Sequence, residues 1–262
     1  MLKKTIQTLN IFSSFKKAVK RYRKRKKEQQ FLRSFESGLA YKMTSFYTKN
    51  WTCEVSRLCD IYGSDKGELL KGVHPYRWAS HTYADFYSRL FSHCRNSVKN
   101  VFECGLGTNN PNLPSSMGVS GIPGASLRVW RDFFPNAMVY GADIDKDILF
   151  EEDRIKTFYI DQLDPEAIKK FWDTVGSVNF DFMIDDGLHT FEAGSTLFLH
   201  SIDRLTNDGI YIIEDIGQTD LLRYKDFFSN NKDYVVEYVC MFRPGISLGD
   251  NSLVVIRKNT QL

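Results

Sequence analysis

No apolar run in the chain approaches the roughly 18 residues of a membrane-spanning helix, and the N-terminus lacks the apolar stretch and small-residue cleavage site of a secretory signal. A cytoplasmic protein is therefore expected. Cysteine is sparse and badly placed for cross-linking. The five residues Cys53, Cys59, Cys94, Cys104 and Cys240 are odd in number, scattered and never spaced C-x-x-C, so neither a disulfide framework nor a zinc knuckle is indicated. Internal repeats and low-complexity tracts are missing as well. What remains is ordinary globular composition: 262 residues, 42% hydrophobic and 26% charged, enough for one large α/β core with short extensions.

The small net charge of +3 conceals an asymmetry. Residues 1 to 33 hold 12 Lys/Arg against one acid, Glu28, a net +11, whereas the rest of the chain holds 23 Lys/Arg against 31 Asp/Glu, a net −8. The tail has scattered apolar residues at Leu9, Ile11, Phe12, Phe15 and Val19 and a cationic block from Lys16 to Lys27, which reads as an amphipathic or partly ordered basic helix. Peripheral contact with an anionic membrane, on its inner face, is one expected use; a purely solvated extension is the other. Nucleic acid is not the expected partner, because the acidic body repels phosphates.

The pattern along the chain divides it into a basic extension (1–40), a mostly helical cap (41–97) and an α/β domain (98–262). From residue 98, short apolar runs each end in Gly or Asp and lead into a helical stretch, the rhythm of a parallel sheet. Strands are predicted at 99–104, 138–143, 155–160, 180–184, 209–214, 233–242 and 251–257, seven in all. Helices are predicted near 125–133, 165–174, 191–205 and 219–229. The last two strands are too close for a helical crossover and are expected to form an antiparallel hairpin.

Ligands of open α/β sheets sit beyond the carboxyl ends of the strands, so the residues there are read together. The first strand ends in Glu103-Cys104-Gly105-Leu106-Gly107-Thr108, where Gly105 and Gly107 permit a tight turn and close backbone approach. The third glycine of the dinucleotide fingerprint is missing, and a Pro-containing segment follows where that fingerprint would enter a helix. The second strand ends at Asp143, whose carboxylate suits the paired hydroxyls of a ribose or, alternatively, caps a helix. Asp161 and Gln162 follow the third strand and suit an adenine edge or a turn. The fourth ends in Asp185-Asp186-Gly187-Leu188-His189 and the fifth in Glu214-Asp215. Acid pairs on neighbouring strand ends repel unless a cation compensates them, so a hard divalent ion, Mg²⁺ or Mn²⁺, is expected there, with His189 as a base or a further metal ligand. The bland readings are an Asp186 helix cap, a backbone-bonded His189 and a solvated Asp215.

Taken together, Glu-Cys-Gly-Leu-Gly-Thr, Gly-Ala-Asp-Ile-Asp, Asp-Gln, Asp-Asp-Gly-Leu-His and Ile-Ile-Glu-Asp resemble the class I S-adenosylmethionine-dependent methyltransferases. More narrowly, the pattern is similar to the metal-dependent sugar O-methyltransferases of the mycinamicin and macrocin type. The segment 123–137 and the motif Gly63-Ser64-Asp65-Lys66-Gly67 with His81-Thr82-Tyr83 also resemble methyltransferases of bacterial capsule and surface-polysaccharide clusters. The resemblance spans roughly residues 60–257 and implies a Rossmann-like α/β fold in which 98–262 binds S-adenosyl-L-methionine.

Carried over residue by residue, it implies that Glu103, Gly105, Gly107, Asp143, Asp161, Gln162 and Asp185 bind the cofactor. Asp186, Glu214 and Asp215 would ligate the metal, and His189 would be the catalytic base. The implied reaction is O-methylation of a sugar or sugar-linked group, with a small molecule or a polysaccharide precursor as acceptor, in an enzyme that is a candidate homo-oligomer. The rival readings are a nicotinamide-dependent nucleotide-sugar oxidoreductase and a non-catalytic module of membrane or polysaccharide assembly. Lys66 and Arg128 are candidates for the cofactor carboxylate, with a plain salt bridge as the alternative. Tyr76, Trp78 and Tyr83 are candidates for a sugar-stacking wall, with core packing as theirs.

Overall fold

The computed structural model describes residues 16–20, 22–23, 26–27, 29–37, 42–48, 53–68, 76, 78–242 and 249–260. The chain forms two compact units, Met1–Thr48 and Lys49–Leu262. In the first, the described residues from 16 to 36 are helical, Phe31 and Phe35 stack with ring centroids 5.7 Å apart, and Lys42 pairs with Glu36. Leu9, Ile11, Phe12 and Phe15 of the expected apolar stripe lie outside the described residues. No helix among the described residues is long and apolar enough to cross a membrane.

The second unit contains helices α1 (Glu54–Tyr62), α2 (Tyr83–Phe91), α3 (Ala125–Phe133), α4 (Pro165–Val175), α5 (Phe191–Ser201) and α6 (Gln218–Phe228). Its strands are β1 (Asn100–Cys104), β2 (Met138–Asp143), β3 (Glu151–Glu152), β4 (Ile155–Tyr159), β5 (Phe180–Asp185), β6 (Leu205–Ile213), β7 (Tyr234–Cys240) and β8 (Ser252–Lys258). They form one sheet in the order β3-β4-β2-β1-β5-β6-β8-β7, parallel from β4 to β6. The terminal hairpin is antiparallel, with β8 inserted between β6 and β7. The eighth strand, which the sequence reading lacks, is the two-residue β3 on the edge, too short for any period-2 pattern to register. This is the mostly parallel, Rossmann-like arrangement that the sequence resemblance implies.

Strand residues alternate between two faces. On β1, Val101 joins a core with Leu58 of α1, Tyr87 of α2 and Trp130 of α3. Its neighbour Phe102 points the other way, onto Phe171 and Trp172 of α4 and Phe180 of β5. Among the described residues of the expected 41–97 cap, the helices are α1 and α2, and both belong to the same compact unit as the sheet. Local signals set the ends of several helices: Gly63 closes α1 in the left-handed conformation, Asp164 caps α4 ahead of Pro165, and Thr190 caps α5.

The sheet order reverses at β1, whose neighbours are β2 on one side and β5 on the other. The crevice beyond that switch point is where an α/β sheet receives its ligand.

Candidate active site

At the switch point the turns after β1 and β5 come into contact. Gly105 has φ +95°, and a Cβ there would lie 2.0 Å from the carbonyl oxygen of Asp186. Only glycine fits, for both conformation and space. Above the turns opens a cleft of about 240 Å³, lined by residues that include Gly105, Gly107, Asp143, Asp161, Gln162 and His189. Pro114, Ser115 and Met117 of the segment after Thr108 also face it, and the Ser115 hydroxyl donates to the Leu188 carbonyl at 3.3 Å. Because this irregular segment separates Gly107 from α3, no helix N-terminus follows the glycines directly. The structure thus lacks the dinucleotide-binding turn that the oxidoreductase reading needs.

Asp143 accepts the Leu106 N–H at 2.7 Å and the Asp145 N–H at 2.8 Å, tying β1 to β2. Burial raises its pKa, partly offset by those backbone donors. The capping role belongs to Asp145, which accepts from Asp147 N–H at 3.1 Å. Asp143 is thus free to face the cleft with its remaining lone pairs. Gln162 straps two loops together: its Nε2 donates to Asp185 at 3.0 Å and its Oε1 accepts the Leu188 N–H at 2.7 Å.

Glu103 and Asp185 do not line the cleft but lie beneath it. Glu103 is fully buried and accepts from Trp130 Nε1 at 2.6 Å. Asp185 is 3% exposed, and burial lifts its pKa to about 6 against the help of Gln162. Its Oδ2 is buried with no hydrogen-bond partner among the described residues.

The acidic ends of β5 and β6 converge. Asp186, His189 and Asp215 each place a potential ligand atom within 4.8 Å of the others. His189 Nε2 lies 3.2 Å from Asp186 Oδ1, and its Nδ1 lies 3.8 Å from Asp215 Oδ2. Both His189 and Asp215 adopt positive φ, 58° and 54°, a conformation rare outside glycine that tight turns at functional sites retain. Thr190, not Asp186, caps the next helix, so the capping alternative for Asp186 falls away.

Glu214 lies on the buried side of this group. Its oxygens are occupied by the Tyr87 hydroxyl and by the ammonium of Lys66. Burial would depress the His189 pKa, but the hydrogen bond to Asp186 and the charges of Asp215, Asp186 and Asp185 push it up to about 10. Burial also raises Glu103, Glu214 and Asp215. The cluster therefore holds more acid than its cations neutralise. Carboxylates converging in an acid-rich group are oxygen donors that fit a divalent cation such as Mg²⁺ or Mn²⁺, with the His189 imidazole beside them.

Lys66, Tyr83, Tyr87 and His81 have roles that strand-end reading does not disclose. Tyr83 donates to Asp215 at 2.7 Å, so it is not part of a stacking wall. Tyr76 and Trp78 do stack, 5.2 Å apart, and Tyr76 lines the cleft. His81 Nδ1 lies 3.3 Å from Asp215 Oδ1. The available signal was the i, i+4 spacing of Tyr83 and Tyr87, which puts both hydroxyls on one face of α2. Arg128 pairs with Glu152 at 2.6 Å and covers Phe150, the plain salt bridge rather than a cofactor contact. Lys66 also lines the cleft, and its Nζ is ion-paired with Glu103, Asp186 and Glu214.

No family profile matches the chain. Among curated proteins it is 33% identical over 140 residues to the 8-demethyl-8-alpha-L-rhamnosyl tetracenomycin-C 2'-O-methyltransferase of Streptomyces olivaceus, covering 53% of this chain and 34% of that protein. It is 33% identical over 167 residues to the demethylmacrocin O-methyltransferase of Streptomyces fradiae, covering 63% and 40%. It is 34% identical over 137 residues to the mycinamicin VI 2''-O-methyltransferase of Micromonospora griseorubida, covering 52% and 32%. The chain thus spans between about a third and two-fifths of the length of these relatives.

A solved structure of the MycE methyltransferase from the mycinamycin biosynthetic pathway, in complex with Mg and SAH, superimposes with a TM-score of 0.57 at 26% identity. The match covers 78% of this chain and 54% of that one. In sheet topology the chain is similar to class I S-adenosylmethionine-dependent methyltransferases, and in sequence it is similar to sugar O-methyltransferases of the tetracenomycin, macrocin and mycinamicin type.

Proposed function

We propose that the protein transfers a methyl group from S-adenosyl-L-methionine to a sugar hydroxyl, assisted by a divalent cation. The observation that carries this reading is the meeting, in one cleft at the β1/β5 switch point, of the Gly105–Gly107 turn and Asp143 with the Asp186–His189–Asp215 group. The first half suits an adenosyl cofactor and the second suits an acceptor oxygen that must lose a proton. Asp143 would accept the ribose hydroxyls, with Asp161 and Gln162 beside the base and the Gly105–Gly107 backbone against the methionine end. Glu103 and Asp185 support this floor from below.

Methyl transfer from a sulfonium needs in-line attack, with the acceptor oxygen held about 3 to 3.5 Å from the methyl carbon. His189 stands between Asp186 and Asp215, where a neutral ring can remove the hydroxyl proton as the carbon–oxygen bond forms and the methyl carbon–sulfur bond breaks, leaving S-adenosylhomocysteine as the neutral thioether. Asp186 and Asp215 would hold the cation, whose positive charge lowers the pKa of an acceptor hydroxyl and of the His189 imidazolium. The relatives' sugar acceptors support a sugar. The surface-polysaccharide precursor expected from the resemblance is the finer part of the proposal, and the basic extension would bring the enzyme to a lipid-borne acceptor.

Calorimetry with S-adenosylmethionine and with NAD is the first test, and tight binding of the former alone is expected. Asp143→Ala should weaken that binding by about 1 to 3 kcal/mol. Transfer of labelled methyl to nucleotide-linked and lipid-linked saccharides should stop in excess chelator and return with Mg²⁺ or Mn²⁺. Full turnover in chelator would remove the metal from the mechanism.

A further inference from the structure

The two acids that end β6 are neighbours in sequence, and neighbours on an extended strand point to opposite faces. Here both reach α2. The Glu214 N–H donates to the Asp185 carbonyl at 2.9 Å, as a continuing strand would, and the chain then turns at Asp215 with φ +54°. That left-handed step swings the Asp215 carboxylate round to the helix that already meets Glu214. On α2, Tyr83 and Tyr87 are spaced i, i+4, which stands their side chains one turn apart on a single face. The Tyr83 hydroxyl donates to Asp215 Oδ1 at 2.7 Å, and the Tyr87 hydroxyl donates to Glu214 Oε1.

Both hydroxyls are held in place by what surrounds their rings. Tyr87 is fully buried, with the rings of Trp130 and Phe182 at 5.1 and 5.6 Å. Tyr83 is buried too and stacks on His81 at 4.8 Å. Its hydroxyl also accepts the Asp215 N–H at 3.2 Å, so it holds that residue by backbone and side chain at once. The Asp250 carbonyl, at 3.1 Å, is a second acceptor within its reach, and the charged carboxylate is the closer and the stronger. His81 Nδ1 stands 3.3 Å from the same Asp215 oxygen. The second oxygen of each acid faces the other way. Asp215 Oδ2 lies 3.8 Å from His189 Nδ1, and Glu214 Oε2 shares the Lys66 ammonium with Asp186 Oδ2.

We propose that Tyr83 and Tyr87 are positioning residues of the cation site: each hydroxyl ties down one oxygen of an acid ending β6 and leaves the other, Asp215 Oδ2 and Glu214 Oε2, turned toward Asp186. The assignment rests on the metal-assisted reading above and names the side chains that set the direction of the acids. A carboxylate already fixed in direction loses less freedom when a cation arrives, so affinity depends on the groups that orient it. Neutral hydroxyls do this without adding a positive charge that would repel the ion.

The test uses the full chain with Mn²⁺ alone as probe, titrated by electron paramagnetic resonance, alongside thermal unfolding in chelator and in Mn²⁺. Tyr83→Phe and Tyr87→Phe each remove one oxygen and keep the ring. In each, Mn²⁺ should bind about tenfold more weakly than in the parent and the spectrum of the bound ion should change, with S-adenosylmethionine affinity kept within about twofold. Parent-like Mn²⁺ affinity and spectrum in a folded variant would overturn the assignment for that tyrosine and leave its hydroxyl a plain structural bond, whatever the melting temperature.

A variant that is unfolded in chelator and refolds in Mn²⁺ is judged by the spectrum of the bound ion, a change supporting the assignment and a parent-like spectrum overturning it. One that stays unfolded in saturating Mn²⁺ makes its hydroxyl a prop of the fold alone and overturns the assignment as well. Parent protein is titrated first with Mn²⁺ and with S-adenosylmethionine. A parent that binds neither overturns the methyltransferase reading and this one with it, and a parent that binds S-adenosylmethionine but no Mn²⁺ overturns the metal-assisted step and this one. A parent that binds both, with the two variants unaltered, overturns only the role of the tyrosines.

Discussion

His189 stands between two carboxylates, and that neighbourhood decides its charge. With Asp186 and Asp215 ionised and no metal ion on them, its pKa of about 10 makes it an imidazolium at neutral pH, able to donate but not to accept a proton. With a divalent cation held by the same carboxylates, that pKa would fall and the ring would be free to act as a base. Ring-proton shifts of His189 should therefore titrate near pH 10 in chelator and move toward the ordinary range near 6.5 in saturating Mg²⁺. His189→Ala should lower kcat by roughly 10²- to 10⁴-fold while leaving S-adenosylmethionine affinity unchanged. A titration that ignores Mg²⁺ would separate His189 from the metal.

Asp185 gives a second residue-scale prediction. Burial lifts it from the usual 3.8 to about 6, so as the pH rises the unfolded chain releases this proton first. Between those values the native state binds more protons than the unfolded chain, and stability falls with rising pH. Asp185→Asn should remove that loss, gaining stability over the parent from about pH 4 to 6 and holding the gain above it, as read by urea unfolding across the range.

At the scale of elements, the site depends on loops locked to one another rather than on any one strand. The turn after β5 is held by Gln162 from the loop after β4, and a Cβ on Gly187 would lie 2.0 Å from Gln162 Oε1. Gly187→Ala should push Gln162 out, break its bonds to Leu188 and Asp185, and cost about 1 to 3 kcal/mol of stability together with cofactor affinity. Adding Gln162→Ser should make room and recover most of the stability without the affinity. Equal melting temperatures for parent and Gly187→Ala would mean that the strap gives way freely. Helix α2 supplies the other lock, since Tyr83 and Tyr87 reach the adjacent acids Asp215 and Glu214 from one helical face.

At the scale of the whole molecule, the charge division follows the structural one. The +11 of residues 1 to 33 falls within the unit Met1–Thr48, and the acid-rich remainder builds the unit that carries the cleft. Removing residues 1 to 33 should leave melting temperature and S-adenosylmethionine affinity unchanged. It should abolish a salt-sensitive attachment to anionic vesicles, measured by cosedimentation at low and high ionic strength. Unfolding of the shortened chain would place the extension in the core, and a full-length chain that ignores vesicles would end the membrane proposal.

The sequence by itself determined the order of strands and helices, the terminal hairpin and the residues at each strand end. Those follow from local rules, alternation along strands and breaks at Gly and Asp, that act over a few residues. It also determined that acid pairs would gather beyond β5 and β6, because a parallel sheet puts every strand's carboxyl end on one edge. Which acids face the cleft was decided only by tertiary structure. Glu103, Asp185 and Glu214 differ from Asp143, Asp186 and Asp215 not in type or spacing but in their partners: Trp130, Gln162 and Tyr87, the last with Lys66. Those partners come from distant parts of the chain. Lys66 lies 120 residues before Asp186 and 148 before Glu214 in sequence, so no local pattern encodes the contact. The buried charges settle it: an ammonium and carboxylates withdrawn from water must find one another, and only the packed fold determines which do.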